Sequence, residues 1–293
     1  MNPYVIMTDT TTDLPEDYIR EHGLSILSLN YILDGQTYDR EHPLDVKEFY
    51  EKMRAGSMPT TSQVNPEQAK TAMCACLETG QDVLYIAFSS GLSGTYNSGR
   101  IAAEEIAEEG LFPERKVVVV DSLSASLGEG LLVHKAVMLK EAGKSLEEVA
   151  DWVERNKLHI CHNFTVDDLF HLHRGGRVSK ATAILGTMMN VKPVLHVDDE
   201  GHLIAVGKVR GRKKSISALV DRMAEQMNGF AAENDVVFIS HGDCIEDVEY
   251  LERLIREKFG ITEFLVNEVG PTIGAHSGPG TLAVFFVGEP VTI

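Results

Sequence analysis

The residues of this sequence best suited to chemistry are hydroxyls set among glycines. Ser89-Ser90-Gly91-Leu92-Ser93-Gly94-Thr95 follows an apolar run, Val83 to Phe88, and precedes a helical pattern, Tyr96 to Glu109. In open α/β folds, ligands bind at loops on the C-terminal ends of parallel strands. Glycines such as Gly94 let a backbone come close to a ligand, and the unpaired N–H groups of a helix start suit an anion. Ser93 and Thr95 add hydroxyl donors at the same place. The same letters also serve as a plain helix cap. A phosphate-binding P-loop requires a lysine that does not follow here. A nucleophile elbow requires glycine where Thr95 stands. Ser93 followed far downstream by His276 does keep the chain order of a serine hydrolase, which stays open as an alternative.

Two further segments look built for a small acidic ligand. Thr60-Thr61-Ser62-Gln63-Val64-Asn65-Pro66 sets hydroxyls ahead of a predicted helix N-terminus. Val269 to Gly280 is dense in glycine and proline and reads as a rigid loop, with His276 as its one histidine. An imidazole there can donate to a carboxylate oxygen. The remaining histidines form no H-x-x-x-H or H-E-x-x-H pattern, and Cys74 and Cys76 have no second pair, so no metal site is predicted. Asp9 and Asp13, in the run Thr8 to Asp13, can hold a cation or satisfy backbone donors around a turn. The structural role is favoured.

Those segments must be positioned by something, and the chain supplies alternating strands and helices. It has 293 residues, enough for two domains. Repeated strand–loop–helix units up to the helix Leu146 to Asn156 predict a parallel sheet with helices on both faces. Beyond that, Pro193 to Val197 and Leu203 to Val209 flank Asp198-Asp199-Glu200-Gly201, a hairpin signature that implies a mixed sheet. A boundary near residue 160 follows, giving units over 1–160 and 161–293. With 44 acidic against 27 basic residues and a net charge of −17, the surface repels phosphate backbones, so nucleic acid is not an expected partner. No stretch approaches the ~20 apolar residues that span a bilayer. The start has no basic flank leading into an apolar run, and four scattered cysteines do not make a disulfide scaffold. The expected location is cytoplasmic, and a monomer is favoured.

The ordered set TDTTTDLP, TSQVNP, SSGLSGTYNS, VVDSLSAS, HRGGRVSK, KVRGRKKS and IGAHSGPG, spanning Thr8 to Gly280, resembles the DegV family. That resemblance implies a three-layer parallel α/β domain carrying head-group loops and a two-layer mixed-sheet domain enclosing an acyl chain. It implies a carrier and not an enzyme: a fatty-acid-binding protein that serves as binding subunit of a two-part bacterial fatty acid kinase. By the same resemblance Thr61, Ser93 and His276 bind the carboxyl group. Ser62, Gly94 and Arg177 support them, and Arg210, in the basic run Lys208 to Lys214, docks the kinase. Arg174 and Arg177 both flank Gly175-Gly176, and either can face the ligand. The tail is expected against the apolar helix Ala181 to Met189. A separate ATP-dependent kinase would phosphorylate the carboxylate, and the acyl-phosphate would pass to an acyltransferase of phospholipid synthesis. No cofactor belongs to the chain itself. A lipid sensor without kinase coupling is the other alternative.

Overall fold

The structure, a computed structural model, describes residues 2–179 and 190–290. In the first half, strands β1 (Tyr4–Asp9) and β2 (Ser25–Leu27) precede three short strands, β3 (Asn30–Leu33), β4 (Gln36–Tyr38) and β5 (Thr60–Ser62). Then come β6 (Asp82–Ala87) and β7 (Val117–Asp121). The helices of this half are α1 (Glu16–Glu21), α2 (Val46–Arg54), α3 (Pro66–Glu78), α4 (Thr95–Glu108), α5 (Leu127–Glu141) and α6 (Leu146–Asn156). Strands β2-β1-β6-β7 form an all-parallel sheet in that order. Its central strands β1 and β6 are buried along their whole length, as parallel strands covered on both faces must be. Side chains alternate between the faces: Val5, Met7 and Tyr85 meet α3 and α4, while Ile6, Leu84 and Ile86 meet α5 and α6.

Capping boxes fix where two of these helices start. Asn65 and Gln68 cap α3, with Pro66 in its first turn, and Ser145 and Glu148 cap α6. Each such cap contributes about 1 kcal/mol.

The second half begins with β8 (Ile160–Thr165) and α7 (Leu169–Arg174), then the hairpin β9 (Val191–Val197) and β10 (Leu203–Arg210). Strands β11 (Val237–His241), β12 (Phe264–Glu268) and β13 (Leu282–Val287) complete a six-stranded sheet, ordered β10-β9-β8-β13-β11-β12. Only β11 and β12 pair in parallel, so the sheet is mixed. One face carries the helices Arg212–Gln226 and Ile245–Phe259, with Leu219, Met223 and Leu251 on Val284 and Phe286. The other face turns back to α5, which touches β8, β11 and β13 as well as β1 and β6. Leu127 to Val133 of α5 are buried without interruption. The stretch is enclosed on all sides, the carboxyl of Glu129 included, and α5 is the shared layer between the parallel and the six-stranded sheet.

Thr60–Ser62, ahead of α3 as expected, is itself the strand β5, which pairs with β3 in a third, antiparallel sheet ordered β4-β3-β5. One local expectation is corrected. The segment read as a rigid loop around His276 contains the helix Pro271–Ser277, opened by Pro271 and closed by Gly278 at φ 81°. The helix expected over Ala181 to Met189 lies outside the described residues. Among the described residues no helix is long and apolar enough to cross a membrane.

Candidate functional site

Thr61, Ser93, Arg177 and His276 border one cavity of about 450 Å³ between the two sheets. Such a volume suits a small ligand. Ser93 sits where the chain leaves β6 and enters α4. Its Oγ accepts from the Thr95 N–H at 3.2 Å and lies 2.9 Å from Thr95 Oγ1. Gly94, just before α4, donates its N–H to Gln63 Oε1 at 3.1 Å. A Cβ on Gly94 would stand 2.3 Å from that amide oxygen, so a side chain there would push Gln63 aside. The loop is tied to the other half by Ser89, whose hydroxyl donates to the Gly201 carbonyl at 2.9 Å on the β9–β10 turn.

Thr61 comes to the cavity on β5, opposite Tyr31 of β3. Its Oγ1 lies 2.7 Å from His276 Nε2, a contact across 215 positions of sequence. The imidazole packs so closely on Gly175 that a Cβ there would be 2.2 Å from Nδ1. Burial, and then the neighbouring Arg177, push the His276 pKa down to about 4. The ring is therefore neutral at pH 7. Arg177 donates to the Leu92 carbonyl at 3.1 Å and to the Gly175 carbonyl. Arg174 is exposed and bonds His171 Nδ1 at 2.7 Å, so Arg177 is the arginine that borders the cavity. Ser62 and Gly94 line the same mouth.

Behind this polar mouth the wall is largely hydrocarbon. Leu29, Phe88 and Leu92 come from the first half, and Phe164, Val197 and Phe285 from the second. The walls thus come from both halves of the chain. Arg210 is elsewhere, exposed at the end of β10. Arg212, two residues on, is a structural member of the same basic run, paired with Asp247 at 2.8 Å and donating to the Gly280 carbonyl.

Sequence reasoning missed Gln63 as the clamp on Gly94 and Gly175 as the space for His276. No local signal marks Gln63. The Gly-Gly pair was visible, but its purpose depends on a helix about a hundred positions away.

The other polar cluster of the sequence analysis is structural. Asp9 accepts from Thr11 N–H and Oγ1, Tyr85 Oη and the Phe88 N–H. Asp13 accepts from Ser126 Oγ and the Gly270 N–H, Glu129 accepts from Thr8, and its other oxygen lies 2.8 Å from Thr11 Oγ1. Internal donors take up these carboxyl groups.

The chain matches the sequence profile described as "Uncharacterised protein, DegV family" over residues 3–289. A DegV domain-containing protein of Clostridium perfringens is 43% identical over 291 residues, 99% of each chain. Among solved structures, one described as fatty acid binding of a DegV family protein from Thermus thermophilus superposes with a TM-score of 0.85 at 34% identity. It covers 98% of this chain and 100% of that one. DegV of Bacillus subtilis, described as a fatty acid binding protein, gives 0.83 at 30% identity, covering 99% and 100%. Profile, relative and folds agree along nearly the whole length, and the chain belongs to the DegV family.

Proposed function

We propose that this protein binds a long-chain fatty acid, carboxyl group at the mouth and tail in the cavity, and presents the carboxyl to a partner kinase. The observation that carries the reading is the single cavity that joins Thr61, Ser93, His276 and Arg177 to a hydrocarbon interior. The fatty acid binding described for the Thermus thermophilus and Bacillus subtilis relatives supports it.

The proton inventory suits a carboxylate. Thr61 has one hydroxyl proton, and a bound carboxylate claims it. His276 Nε2 must then be the donor in the Thr61 contact, which fixes the tautomer with its proton on Nε2. Ser93 accepts from the Thr95 N–H, and with Thr95 Oγ1 as the donor in their 2.9 Å contact the Ser93 proton is left for the ligand. The positive end of α4 and the Arg177 guanidinium supply the charge that neutral His276 does not. Burying an acyl chain contributes ~0.8 kcal/mol per methylene, on the order of 10 kcal/mol gross for a long chain. Ordering and desolvation offset part of that. The tail supplies affinity, and the polar groups set orientation.

On this reading the chain carries no phosphoryl-transfer machinery of its own: its glycine loop lacks the P-loop lysine. ATP and magnesium belong to a separate kinase, which converts the presented carboxylate to an acyl-phosphate for an acyltransferase of phospholipid synthesis. Arg210 and Lys208, exposed at the end of β10, are a basic docking point on an acidic molecule. Among the described residues the hydrogen bonds of Ser93 and His276 run to Thr95 and Thr61, so no Ser–His pair supports a hydrolase.

Denaturing extraction of the purified protein, followed by mass spectrometry, tests the binding claim. Near-stoichiometric fatty acid is expected, and a protein that is empty and takes up no added fatty acid overturns it. With a fatty acid kinase added, Ser93→Ala is expected to lower acyl-phosphate formation while the protein stays folded. Unchanged turnover would remove Ser93 from the site.

A further inference from the structure

The contact between Thr61 and His276 is one side of a closed circuit of packing. Strand β3 and helix α2 supply Tyr31, Phe49, Tyr50 and Met53 to a hydrophobic cluster of their own, which takes in Ala275, the residue before His276. Tyr31 stands opposite Thr61 across the β3–β5 pair. Its ring meets Phe49 edge-on at 5.7 Å between centroids, and Phe49 meets Tyr50 in the same manner at 5.2 Å. Tyr50 lies against the helix Pro271–Ser277, which carries His276 back to Thr61. In a close-packed circuit a shift of one member moves the next.

Packing alone would be served by phenylalanine at position 50. The Tyr50 side chain is completely buried, and a buried phenol needs a partner for its hydroxyl. That partner is the Val269 carbonyl, which accepts at 2.7 Å across 219 positions of sequence. Val269 lines the cavity two residues before the helix begins. In the middle of that helix, a Cβ on Gly274 would stand 2.5 Å from the same hydroxyl oxygen, so glycine lets the helix seat there. The hydroxyl therefore meets both the approach to the helix and its body, while Tyr50 itself does not line the cavity.

Resting on the fatty-acid reading above, we propose that Tyr50 is a positioning residue for the head-group site: its hydroxyl sets where the His276 helix stands against Thr61, and so makes the mouth selective for a carboxylate. A carboxylate presents two oxygens, and pairing both requires Thr61 and Ser93 at a set separation. A single hydroxyl on the same chain can pair with either one alone.

The test is competition of oleate and oleyl alcohol against a fluorescent fatty acid bound to the full-length protein. The native protein is expected to prefer oleate. Tyr50→Phe keeps the ring and should lower oleate affinity about five-fold while leaving that of the alcohol unchanged. Gly274→Ala, which pushes on the hydroxyl, should have the same selective effect. Without the hydroxyl the new methyl has 3.1 Å to its nearest neighbours, so the double variant should lose at most about two-fold more than Tyr50→Phe alone. If a thermal melt shows Tyr50→Phe unfolded, Gly274→Ala decides by the same two affinities. Equal losses for both ligands, no loss for either, full additivity of the two substitutions, or a native protein indifferent to the head group each overturn the proposal. Failure of both ligands to bind the native protein would instead overturn the fatty-acid reading on which it rests.

Discussion

Two polar clusters of this molecule use the same residue types to opposite ends. Around Asp9, Asp13 and Glu129, the side chains of Thr8, Thr11, Ser126 and Tyr85 and the N–H groups of Thr11, Phe88 and Gly270 all point at carboxyl oxygens. Around Thr61, Ser93 and His276, the hydroxyls border a cavity, and the proposed donor assignment leaves their protons to a ligand. Hydroxyl-rich sequence alone therefore does not mark a site. Donors not committed to their neighbours, next to open volume, do. The sharpest way to break this contrast is Asp9→Ala, which strands three donors, the Thr11 and Phe88 N–H groups and the Tyr85 hydroxyl, in a fully buried place. Each unpaired group costs about 1–3 kcal/mol, so a loss of about 4 kcal/mol or more is expected in urea unfolding. A loss under about 1 kcal/mol would mean that the cluster is not the internal brace described.

The clusters should also answer pH with opposite signs. Burial pushes the Asp13 pKa up to about 7, so the folded protein keeps a proton that the unfolded chain loses near pH 4. Its effect is to lower stability as pH rises from about 4 to about 7, by at most about 4 kcal/mol, with no further change above. His276 is held down at about 4. The unfolded chain protonates it below about pH 6.5 while the folded protein does not, so this term lowers stability as pH falls from about 6.5 to about 4. His162, pushed down to about 3 by burial, acts in the same direction. Unfolding curves between pH 4.5 and 7.5 separate the terms. Asp13→Asn should make stability climb more steeply with pH, and His276→Asn should flatten the climb. Parallel profiles for all three proteins would contradict both assignments.

How much of this was legible follows from which forces are local. The helices α4 and α6 run within one residue of the expected spans, because apolar periodicity and turn chemistry within a few positions decide them. The hairpin β9–β10 was likewise written in Asp198 to Gly201. Strand β5 was not, since Thr60-Thr61-Ser62 shows no apolar alternation and is a strand only because β3 lies beside it. The helix bearing His276 was hidden by its glycines, although Pro271 at its start and Gly278 just past its end are the usual punctuation. The individual residues Thr61, Ser93 and His276 could be named from their loops and from family resemblance. That Thr61 and His276 touch is a tertiary fact with no local trace.

That contact can be loosened without altering either partner. Gly175 has φ −73°, so alanine is not strained there, and the obstacle is purely spatial. Gly175→Ala should swing the imidazole away from Thr61 and lower fatty acid affinity about ten-fold, roughly 1.4 kcal/mol. Isothermal titration reads the affinity and a thermal melt checks that the fold persists. Unchanged affinity would remove His276 from the positioning of Thr61.

The smallest effect is expected where charge at first sight matters most. Glu129 is fully buried, and burial, then the nearby Asp9, drive its pKa well above the usual carboxylate range. That shift favours the neutral carboxylic acid, which can give its proton to Thr11 while Thr11 donates to Asp9. Glutamine is also neutral and offers one acceptor and one donor group in nearly the same shape. Glu129→Gln should thus change stability by under about 1 kcal/mol, while Glu129→Leu, which leaves the Thr8 hydroxyl unpaired and Thr11 with Asp9 alone, should cost about 1–3 kcal/mol. A large loss with glutamine would mean that Glu129 is ionised in the folded protein. The cluster would then hold net charge in search of a counter-ion, and the line drawn between a self-satisfied brace and a site with free donors would no longer separate the two regions.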